Sequence, residues 1–371
     1  MRVGVPKEIK THEYRVGLTP AAVREYLHAG HTVVVETGAG AGIGASDEVY
    51  RTAGAGIAAS AGEIFANADM IVKVKEPQPG EWGQLRPGQI LFTYLHLAAD
   101  PEQARGLVAS GCTAVAYETV TDASGGLPLL APMSEVAGRL SIEAAGGALQ
   151  RHRGGRGLLL GGVPGVPPAH VVVLGGGVVG THAARMAAGL GADVTVLDRS
   201  LPRLRALDEL FGGRVRTRYS TIAAIEQEVF SADVVIGAVL VAGASAPKLV
   251  TRAMLKSMKR GAVIVDVAID QGGCFETSRP TTHAAPTYEV DGIIHYCVAN
   301  MPGAVPLTSS EALNNATLPF GLALAGKGLA AIAENPHLRA GLNVHRGRFT
   351  HRAAAESLGL PFSPPDQAIA A

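Results

Sequence analysis

A glycine-rich segment at residues 169–199 constrains the fold of this chain more than any other feature. It reads AHVVVLGGGVVGTHAARMAAGLGADVTVLDR, in which an apolar run, a glycine turn, an Ala-rich helical pattern and a second apolar run follow one another. This order of strand, turn, helix and strand is typical of a parallel βαβ unit. The segment therefore predicts an α/β fold.

The spacing of the glycines predicts a ligand as well as a fold. In a GxGxxG turn, Gly175 permits the tight turn and Gly177 lets a pyrophosphate approach the backbone. Gly180 lets the helix pack close to the strand. The backbone N–H groups of Val178 and Val179 then face a phosphate at the helix N-terminus. We therefore expect a dinucleotide cofactor at this turn.

Asp198, at the end of the second apolar run, indicates which dinucleotide is bound. A carboxylate at this position accepts hydrogen bonds from the ribose hydroxyls but repels a 2′-phosphate, so NAD is favoured over NADP. Arg199 and Arg203 weaken the preference for NAD, because either guanidinium could bind the 2′-phosphate of NADP. These residues predict NAD-dependent hydride transfer.

Two alternating series of strand-like and helix-like segments indicate two domains, as the length of 371 residues also suggests. The first series has the apolar runs RVGV, HTVVVE, DMIVKVKE, QILFTYLHLA and TAVAYE. The second has HVVVLGGG, DVTVLDR, VRTRYS, DVVIGAVL, AVIVDVA and IIHYCVA. We predict the α/β class, with two doubly wound parallel-sheet (Rossmann-like) domains and a cleft between them.

Helical patterns outside these series set the domain bounds. A long helix is predicted from Pro132 to His152, and the chain beyond Pro306 is helical, with Pro319 expected to kink or split the helix. We expect this tail to pack back onto the first domain. The predicted domains are 1–130 with 306–371 for the substrate, and 131–305 for NAD.

Composition narrows the kinds of partner. Lys and Arg together number 32, as do Asp and Glu, so the chain has no net charge that would attract it to nucleic acid or an anionic membrane. A small-molecule ligand is therefore expected. The three cysteines form no CxxC pair, which fits a reducing cytoplasm. The start lacks the apolar stretch of a signal peptide, and the apolar run at 234–244 is too short to span a bilayer. We predict a cytoplasmic protein.

Two cationic residues of the first domain are candidates for binding a small acid. Arg15 follows the polar stretch KEIKTHEY and suits a carboxylate, although a solvated loop arginine is an equal alternative. Lys75 lies in MIVKVKEP at an expected strand end before Pro77, where its amine would polarise a carbonyl oxygen. Lys73 lies two positions earlier, on the same face of the expected strand, so the pattern leaves both lysines as candidates.

A histidine and an aspartate are candidates for proton transfer. His96 ends the apolar run ILFTYL, where open α/β sheets present ligand-binding groups; the alternative is a ring held by a backbone carbonyl. Asp270 follows AVIVDVAI and is expected near the nicotinamide, with helix capping as its alternative. Asp266 lies inside the apolar run and is the weaker candidate.

Several longer blocks resemble the alanine dehydrogenase family from end to end. They are PKEIKTHEYRVGLTP, KVKEP, TYLHLA, LGGGVVG, DVAIDQGGCFETSRPTTH and YCVANMPGAVPLTSSEALNNATLPF. The resemblance implies reversible oxidative deamination of L-alanine to pyruvate and ammonia, with NAD as cofactor. It also implies a substrate domain made from both chain ends, a central NAD domain and assembly as a homo-hexamer.

The resemblance assigns roles to individual positions. It implies that Arg15, Lys75 and Asn300 bind the substrate, that His96 is the general acid/base, and that Asp270 assists beside the nicotinamide. For the cofactor it implies, besides the glycine turn, Val178, Val179 and Asp198, these further residues: Ser134, Arg203, Ser220, Val239, Leu240, Val267, Ala268, Ile269, Asp270, Arg279, Val298, Ala299, Asn300 and Met301.

A bound metal and three other functions are the alternatives to this interpretation. Some family members are associated with a divalent ion, but Ala323 and Lys327 in the C-terminal helical segment offer no ligand cluster, so we predict no metal. The alternatives are the NAD-binding component of a proton-translocating transhydrogenase, a saccharopine dehydrogenase, and a non-catalytic NAD-binding protein. The intact set of candidate residues disfavours the last.

Overall fold

The computed structural model describes residues 1–239 and 246–370. The chain divides into two compact units, one made of Met1–Met133 with Gly303–Ala371 and one made of Ser134–Pro302. We call them the terminal unit and the central unit. The domain boundaries predicted from the sequence were 130/131 and 305/306.

The terminal unit contains strands and helices from both ends of the chain. Its first part comprises β1 (Arg2–Val5), α1 (Pro20–His28), β2 (Thr32–Glu36), α2 (Asp47–Thr52), β3 (Gly56–Ala58), α3 (Ala61–Asn67), β4 (Met70–Val72), α4 (Pro79–Trp82), β5 (Ile90–Thr93), α5 (Pro101–Ser110) and β6 (Thr113–Ala116).

The central unit holds the second α/β series. It comprises α6 (Ala131–Ala148, whose first three residues belong to the terminal unit), β7 (His170–Leu174), α7 (Val178–Gly189), β8 (Asp193–Asp198), α8 (Leu201–Phe211), β9 (Arg216–Tyr219), α9 (Ile222–Ser231), β10 (Val234–Gly237), α10 (Arg252–Leu255), β11 (Val263–Asp266), β12 (Thr287–Val290) and β13 (Ile293–Tyr296).

The chain then returns to the terminal unit. This part comprises α11 (Pro306–Lys327), α12 (Leu329–Glu334), α13 (Pro336–Ala340), β14 (Leu342–His345), β15 (Arg348–Phe349), α14 (Arg352–Leu358) and α15 (Pro365–Ala370).

Each unit is built on a mainly parallel sheet. In the terminal unit the order is β15-β14-β6-β5-β4-β1-β2-β3, and only the pairings made by β14 and β15 are antiparallel. In the central unit the order is β12-β13-β11-β10-β7-β8-β9, and only β12 is antiparallel. The order reverses between β1 and β4 in one sheet and between β7 and β10 in the other, so the predicted doubly wound α/β class is confirmed.

Burial explains which runs became central strands. β5 (ILFT), β10 (VVIG) and β11 (VIVD) are buried along their whole length, as parallel strands covered on both faces must be. The polar strand β9 (RTRY) is partly exposed and lies at the sheet edge. Apolar strands therefore fill the middle of the sheet, and their carboxyl ends are the places where polar side chains leave the core.

One prediction about a helix needs correction, and a second is narrowed by the structure. α6 ends at Ala148 instead of continuing to His152, and a short 3-10 helix at Arg151–Arg153 follows it. The pair Gly146 and Gly147 near the end of α6 favours helix much less than alanine does. Of the two effects expected of Pro319, a kink or a split, the split is excluded because α11 continues unbroken to Lys327.

The pattern of apolar runs did not predict all strands. β3, β12, β14 and β15 lie at or next to the sheet edges and have two to four residues each. Such short strands give too few alternating positions for a periodicity to be recognised. In the part of the chain that the structure describes, no helix combines the length and the apolar character that crossing a membrane requires.

Candidate active site

Three predicted substrate residues lie at one edge of the terminal sheet. Arg15 is in the loop between β1 and α1, Lys75 follows β4, and His96 lies three residues after the end of β5. β4 pairs in parallel with both β1 and β5, so the carboxyl ends of these strands are neighbours. The topology therefore brings together residues that are up to 81 positions apart, at the point where the strand order reverses.

Arg15 is a buried, fixed cation. It is 2% exposed, its Nε donates to Glu13 Oε1 at 2.7 Å, its Nη2 donates to Glu13 Oε2 at 2.5 Å, and its Nη1 contacts Met133 Sδ at 3.1 Å. Burial disfavours the charge, but the paired carboxylate outweighs burial and raises the pKa of Arg15 above its ordinary value. The alternative of a solvated loop arginine is wrong.

The structure separates the two lysines that the pattern left open. Lys73 is 0% exposed, and its Nζ donates to Glu8 Oε2 at 3.1 Å and to Glu81 Oε1 at 2.8 Å. Burial alone would lower its pKa, but the two carboxylates raise it. Lys75 keeps 12% of its side chain exposed, with Nζ 3.9 Å from Glu76 Oε2. Lys73 is thus part of the core, and Lys75 remains the candidate.

His96 adopts a backbone conformation that side chains rarely take. Its φ is 49° and its ψ is 38°, in the left-handed region. Its N–H donates to Glu118 Oε1 at 2.6 Å, and Leu95 N donates to the same carboxylate. The exposed imidazole stacks on Tyr94, with ring centroids 5.7 Å apart and planes 7° apart. Glu118 and Tyr94 therefore fix the ring where it can exchange protons with a ligand or water.

Buried carboxylates that no sequence pattern identified support this edge. Glu8 Oε1 accepts from the backbone N–H groups of Val74 and Lys75, at 2.7 and 3.3 Å. Burial raises the pKa of Glu8 although Lys73 opposes the shift. The alternating charges of KEIKTHEYR and KVKEP were the available signal. They could not reveal pairs that join positions more than 60 residues apart.

The glycine turn lies at the carboxyl end of β7, where the order of the central sheet reverses. Gly175 has φ +101°, and α7 begins at Val178 with Gly177 as its N-cap. A Cβ on Gly180 would be 1.8 Å from Gly175 O, whereas one on Gly177 would meet no protein atom within 4 Å. Gly180 is thus required for packing within the protein, and the space beside Gly177 is open to a ligand.

Polar groups surround this turn. Asp198, the last residue of β8, accepts from Gly176 N at 2.7 Å and from Ser200 N at 2.8 Å, one hydrogen bond on each oxygen. Each carboxylate oxygen can accept a second hydrogen bond. Arg203 donates through Nε to Gly176 O and through Nη2 to Thr181 Oγ1, so it lies against the turn.

Other predicted cofactor residues follow neighbouring strands of the same sheet. Ser220 follows β9 and donates its backbone N–H to Asp198 O at 3.0 Å, and Val239 follows β10. Residues 267–270 follow β11 and 298–301 follow β13, both parallel to the rest. The carboxyl edge thus collects most of the predicted set, although Leu240 lies outside the described residues.

Two predicted residues, Ser134 and Arg279, lie elsewhere in the central unit, whereas Asn300 belongs to segment 298–301 after β13. Ser134 is in the first turn of α6. Arg279 lies with its guanidinium 4.2 Å above the ring of Tyr288, whose hydroxyl accepts from Arg279 N at 2.8 Å. Asn300 has φ 60° and its carbonyl contacts His283 Nε2 at 3.3 Å.

Asp266 and Asp270 have different environments. Asp266 is 0% exposed, accepts from Ala268 N, Cys274 N and Ser278 Oγ, and has a pKa that burial raises. It caps the 3-10 helix Val267–Gln271. Asp270 is exposed on that helix. Capping, the alternative for Asp270, is therefore the role of Asp266, and Asp270 has a carboxylate accessible to a ligand.

Comparison with known proteins identifies the family. The chain matches the family model described as alanine dehydrogenase/PNT, N-terminal domain, over residues 4–137, and the corresponding C-terminal domain over residues 141–352. The chain belongs to the alanine dehydrogenase/PNT family. The resemblance inferred from the sequence blocks is confirmed.

Individual members of the alanine dehydrogenase/PNT family are similar to this chain over nearly its whole length. The alanine dehydrogenase of Halomonas elongata is 59% identical over 363 residues, which cover 98% of each protein. A solved L-alanine dehydrogenase is 53% identical with a TM-score of 0.94, covering 97% of this chain and 99% of its own. A solved transhydrogenase from Sinorhizobium meliloti is 26% identical with a TM-score of 0.81, covering 95% and 100%.

The absence of a metal remains a prediction. Among residues 1–239 and 246–370, no group of three or more His, Cys, Asp and Glu side chains is arranged to hold an ion. Ala323 and Lys327 lie in α11, as the sequence analysis placed them in a helical segment.

Proposed function

We propose that this protein is an L-alanine dehydrogenase, which converts L-alanine, NAD⁺ and water reversibly into pyruvate, ammonium, NADH and a proton. The observation that carries the proposal is the grouping of Arg15, Lys75 and His96 at one sheet edge, in a chain whose full-length relatives are named alanine dehydrogenase. The sheet edge supplies the cations and the proton carrier that a small amino acid requires.

Each substrate residue has a chemical task in this proposal. Arg15 binds the carboxylate through its guanidinium, which the hydrogen bonds from Nε and Nη2 to Glu13 hold in place. Once the amino acid is oxidised to an iminium ion, water adds to the carbon, and His96 accepts the proton of that water. His96 then returns that proton to the amine and takes up the hydroxyl proton of the carbinolamine, as the carbonyl forms and ammonia leaves. Lys75, with Asn300 and Asp270, orients the oxygen and nitrogen.

The glycine turn and its neighbours fit NAD. When bound, NAD⁺ supplies the hydride acceptor. The open space beside Gly177 admits the pyrophosphate, the first N–H groups of α7 have no acceptor within the helix, and Asp198 retains acceptor capacity for the ribose. We propose that the remaining predicted residues of this edge complete the cofactor site.

Gly177→Ala is expected to fold normally and to bind NAD⁺ about 100-fold more weakly, because the added methyl group occupies the phosphate space and prevents charged hydrogen bonds. The φ of Gly177 is −65°, which alanine adopts without strain. Calorimetric titration with NAD⁺ measures the loss. Gly189→Ala, at the other end of α7 and equally open, is the matched control. Equal NAD⁺ affinities in the two variants would contradict the site.

Asp198→Ala is expected to weaken NAD⁺ binding about tenfold and to narrow the preference for NAD⁺ over NADP⁺, because it removes both the ribose acceptor and the charge that repels a 2′-phosphate. Michaelis constants for both cofactors measure the change. Asp208→Ala, which removes an exposed carboxylate of α8, is the control. Unchanged constants in Asp198→Ala would count against the assignment.

A direct assay tests the proposed reaction. NADH formation is followed by its absorbance with L-alanine, L-serine, 2-aminobutyrate and saccharopine as substrates, and in the reverse direction with pyruvate and ammonium. The greatest kcat/KM is expected with L-alanine. Absence of turnover with every amino acid would favour the transhydrogenase alternative. The similarity to a solved transhydrogenase at 26% identity is the reason to test it.

Assembly and location belong to the same proposal. We propose a homo-hexamer in the cytoplasm, acting on small molecules without a nucleic-acid or membrane partner. The balanced charge of the chain supports the last point. Light scattering measures the mass of the assembly, and a mass other than six chains of 38.0 kDa would exclude the hexamer.

A further inference from the structure

Glu76 carries a buried carboxylate beside the candidate substrate residues, and the proposed reaction assigns it no task. It is 9% exposed and follows Lys75 directly. Its Oε1 accepts from Lys10 Nζ, and its Oε2 lies 3.9 Å from Lys75 Nζ. Within the described residues, Oε2 is buried and has no hydrogen-bond donor. A buried acceptor without a donor costs free energy, so this oxygen calls for an explanation.

A bend in the chain makes the contact between Lys75 and Glu76 possible. Consecutive side chains of an extended strand point to opposite faces. β4 has already ended at Val72, and the chain bends at Val74 and Lys75. Glu8 accepts from the backbone N–H groups of both bend residues. The bend is therefore fixed from within the core, and it turns the ammonium and the carboxylate toward each other.

The surroundings of Glu76 keep it ionised. Burial by itself raises the pKa of Glu76, but Lys75, Lys10 and, more weakly, His96 attract the carboxylate, and the net pKa lies below the ordinary value. Electrostatic attraction is mutual. The charged carboxylate therefore stabilises the charged form of the cations that face it.

We propose that Glu76 is a positioning residue, whose carboxylate holds the Lys75 ammonium in the orientation that meets the substrate oxygen and keeps that ammonium charged. The inference rests on the proposed function, in which Lys75 polarises this oxygen. A lysine ammonium has three N–H donors, so one can reach Glu76 Oε2 while another meets the substrate.

Glu76→Gln is the direct test, with kcat/KM for pyruvate measured against pH in the presence of ammonium and NADH. The substitution removes a carboxylate charge that favours the Lys75 ammonium, while Lys10 remains as a neighbouring cation and Glu8 still contacts the backbone. We expect the alkaline limb of the profile to move to lower pH by about one unit. Titration of free ammonium contributes equally to every variant.

Lys10→Gln is the matched control, since it removes the other partner of the same carboxylate. Lys10 has 39% of its side chain exposed and lies outside the proposed machinery. With this competing cation gone, the alkaline limb is expected to move to higher pH. If Glu76 only tied the Lys10 loop to β4, both variants would lose activity in parallel with unmoved limbs, which would overturn the proposal.

Two further outcomes complete the test. Glu76→Asp retains the charge and is expected to restore the limb to its wild-type position. If Glu76→Gln does not fold, the Lys10→Gln profile decides: a limb at higher pH supports the proposal, and an unmoved limb contradicts it. A wild-type protein without pyruvate turnover would instead refute the proposed function, so the two failures are distinguishable.

Discussion

His96→Asn is expected to lower kcat by about 10²- to 10⁴-fold while NAD⁺ affinity stays at the wild-type value, since that range is typical for loss of a general acid/base. His96 is exposed at the carboxyl edge of the terminal sheet, whereas the glycine turn lies in the central unit. Asparagine is the appropriate replacement, because it tolerates the left-handed backbone that His96 adopts better than alanine does. Stopped-flow or steady-state rates with L-alanine, together with calorimetric titration of NAD⁺, measure the two quantities.

The control for this variant is His28→Asn, which removes another exposed histidine of the terminal unit, at the end of α1. Its kcat should remain at the wild-type value. Near wild-type turnover in His96→Asn would remove His96 from the mechanism. A parallel loss of NAD⁺ affinity would show that the substitution acts through folding and not through proton transfer.

Lys73→Met is expected to lower the free energy of unfolding by about 3–5 kcal/mol, because it leaves buried carboxylates without their cation. Lys73 joins Glu8 and Glu81, and all three side chains are buried. Trp82, the sole tryptophan of the chain, follows Glu81 in α4, so its fluorescence reports urea unfolding of this region. We expect the midpoint of this fluorescence change to occur at a lower urea concentration than in the wild type.

Lys75→Met is the matched variant, two positions away on the same strand exit. It should lower kcat/KM for pyruvate while leaving the urea midpoint of Trp82 fluorescence close to wild type, because Lys75 is not enclosed by the core as Lys73 is. An unchanged midpoint in Lys73→Met, or a strong loss of stability in Lys75→Met, would reverse the assignment of the two lysines.

Local sequence was sufficient wherever the signal and its cause lay within one βαβ unit. The apolar runs predicted the central strands, and Gly175, Gly177, Gly180 and Asp198 occupy the turn and strand end that their spacing required. These features depend on residues at most about 30 positions apart. Their conformations follow from backbone sterics and strand burial, which a sequence displays directly.

Long-range pairing was not predictable in the same way. The alternation of side chains along a strand puts Lys73 and Lys75 on the same face, so it could not distinguish them. The distinction depends on where β4 ends and on Glu8, about 65 positions away. Hydropathy favoured Asp270 over Asp266 as a candidate, but only the structure shows that Asp266 is the cap. Edge strands such as β3 and β15 were too short for any periodicity.

The sequence by itself therefore determined the α/β class, the NAD-type turn and the family, because each is encoded in contiguous patterns. Only the tertiary structure decided which charged side chains are buried partners and which face a ligand. The reason is physical: the cost of burying a charge is offset by a partner of opposite sign, and that partner comes from wherever the fold places it. Arg15 with Glu13, Lys73 with Glu8 and Glu81, and Glu76 with Lys10 are such placements.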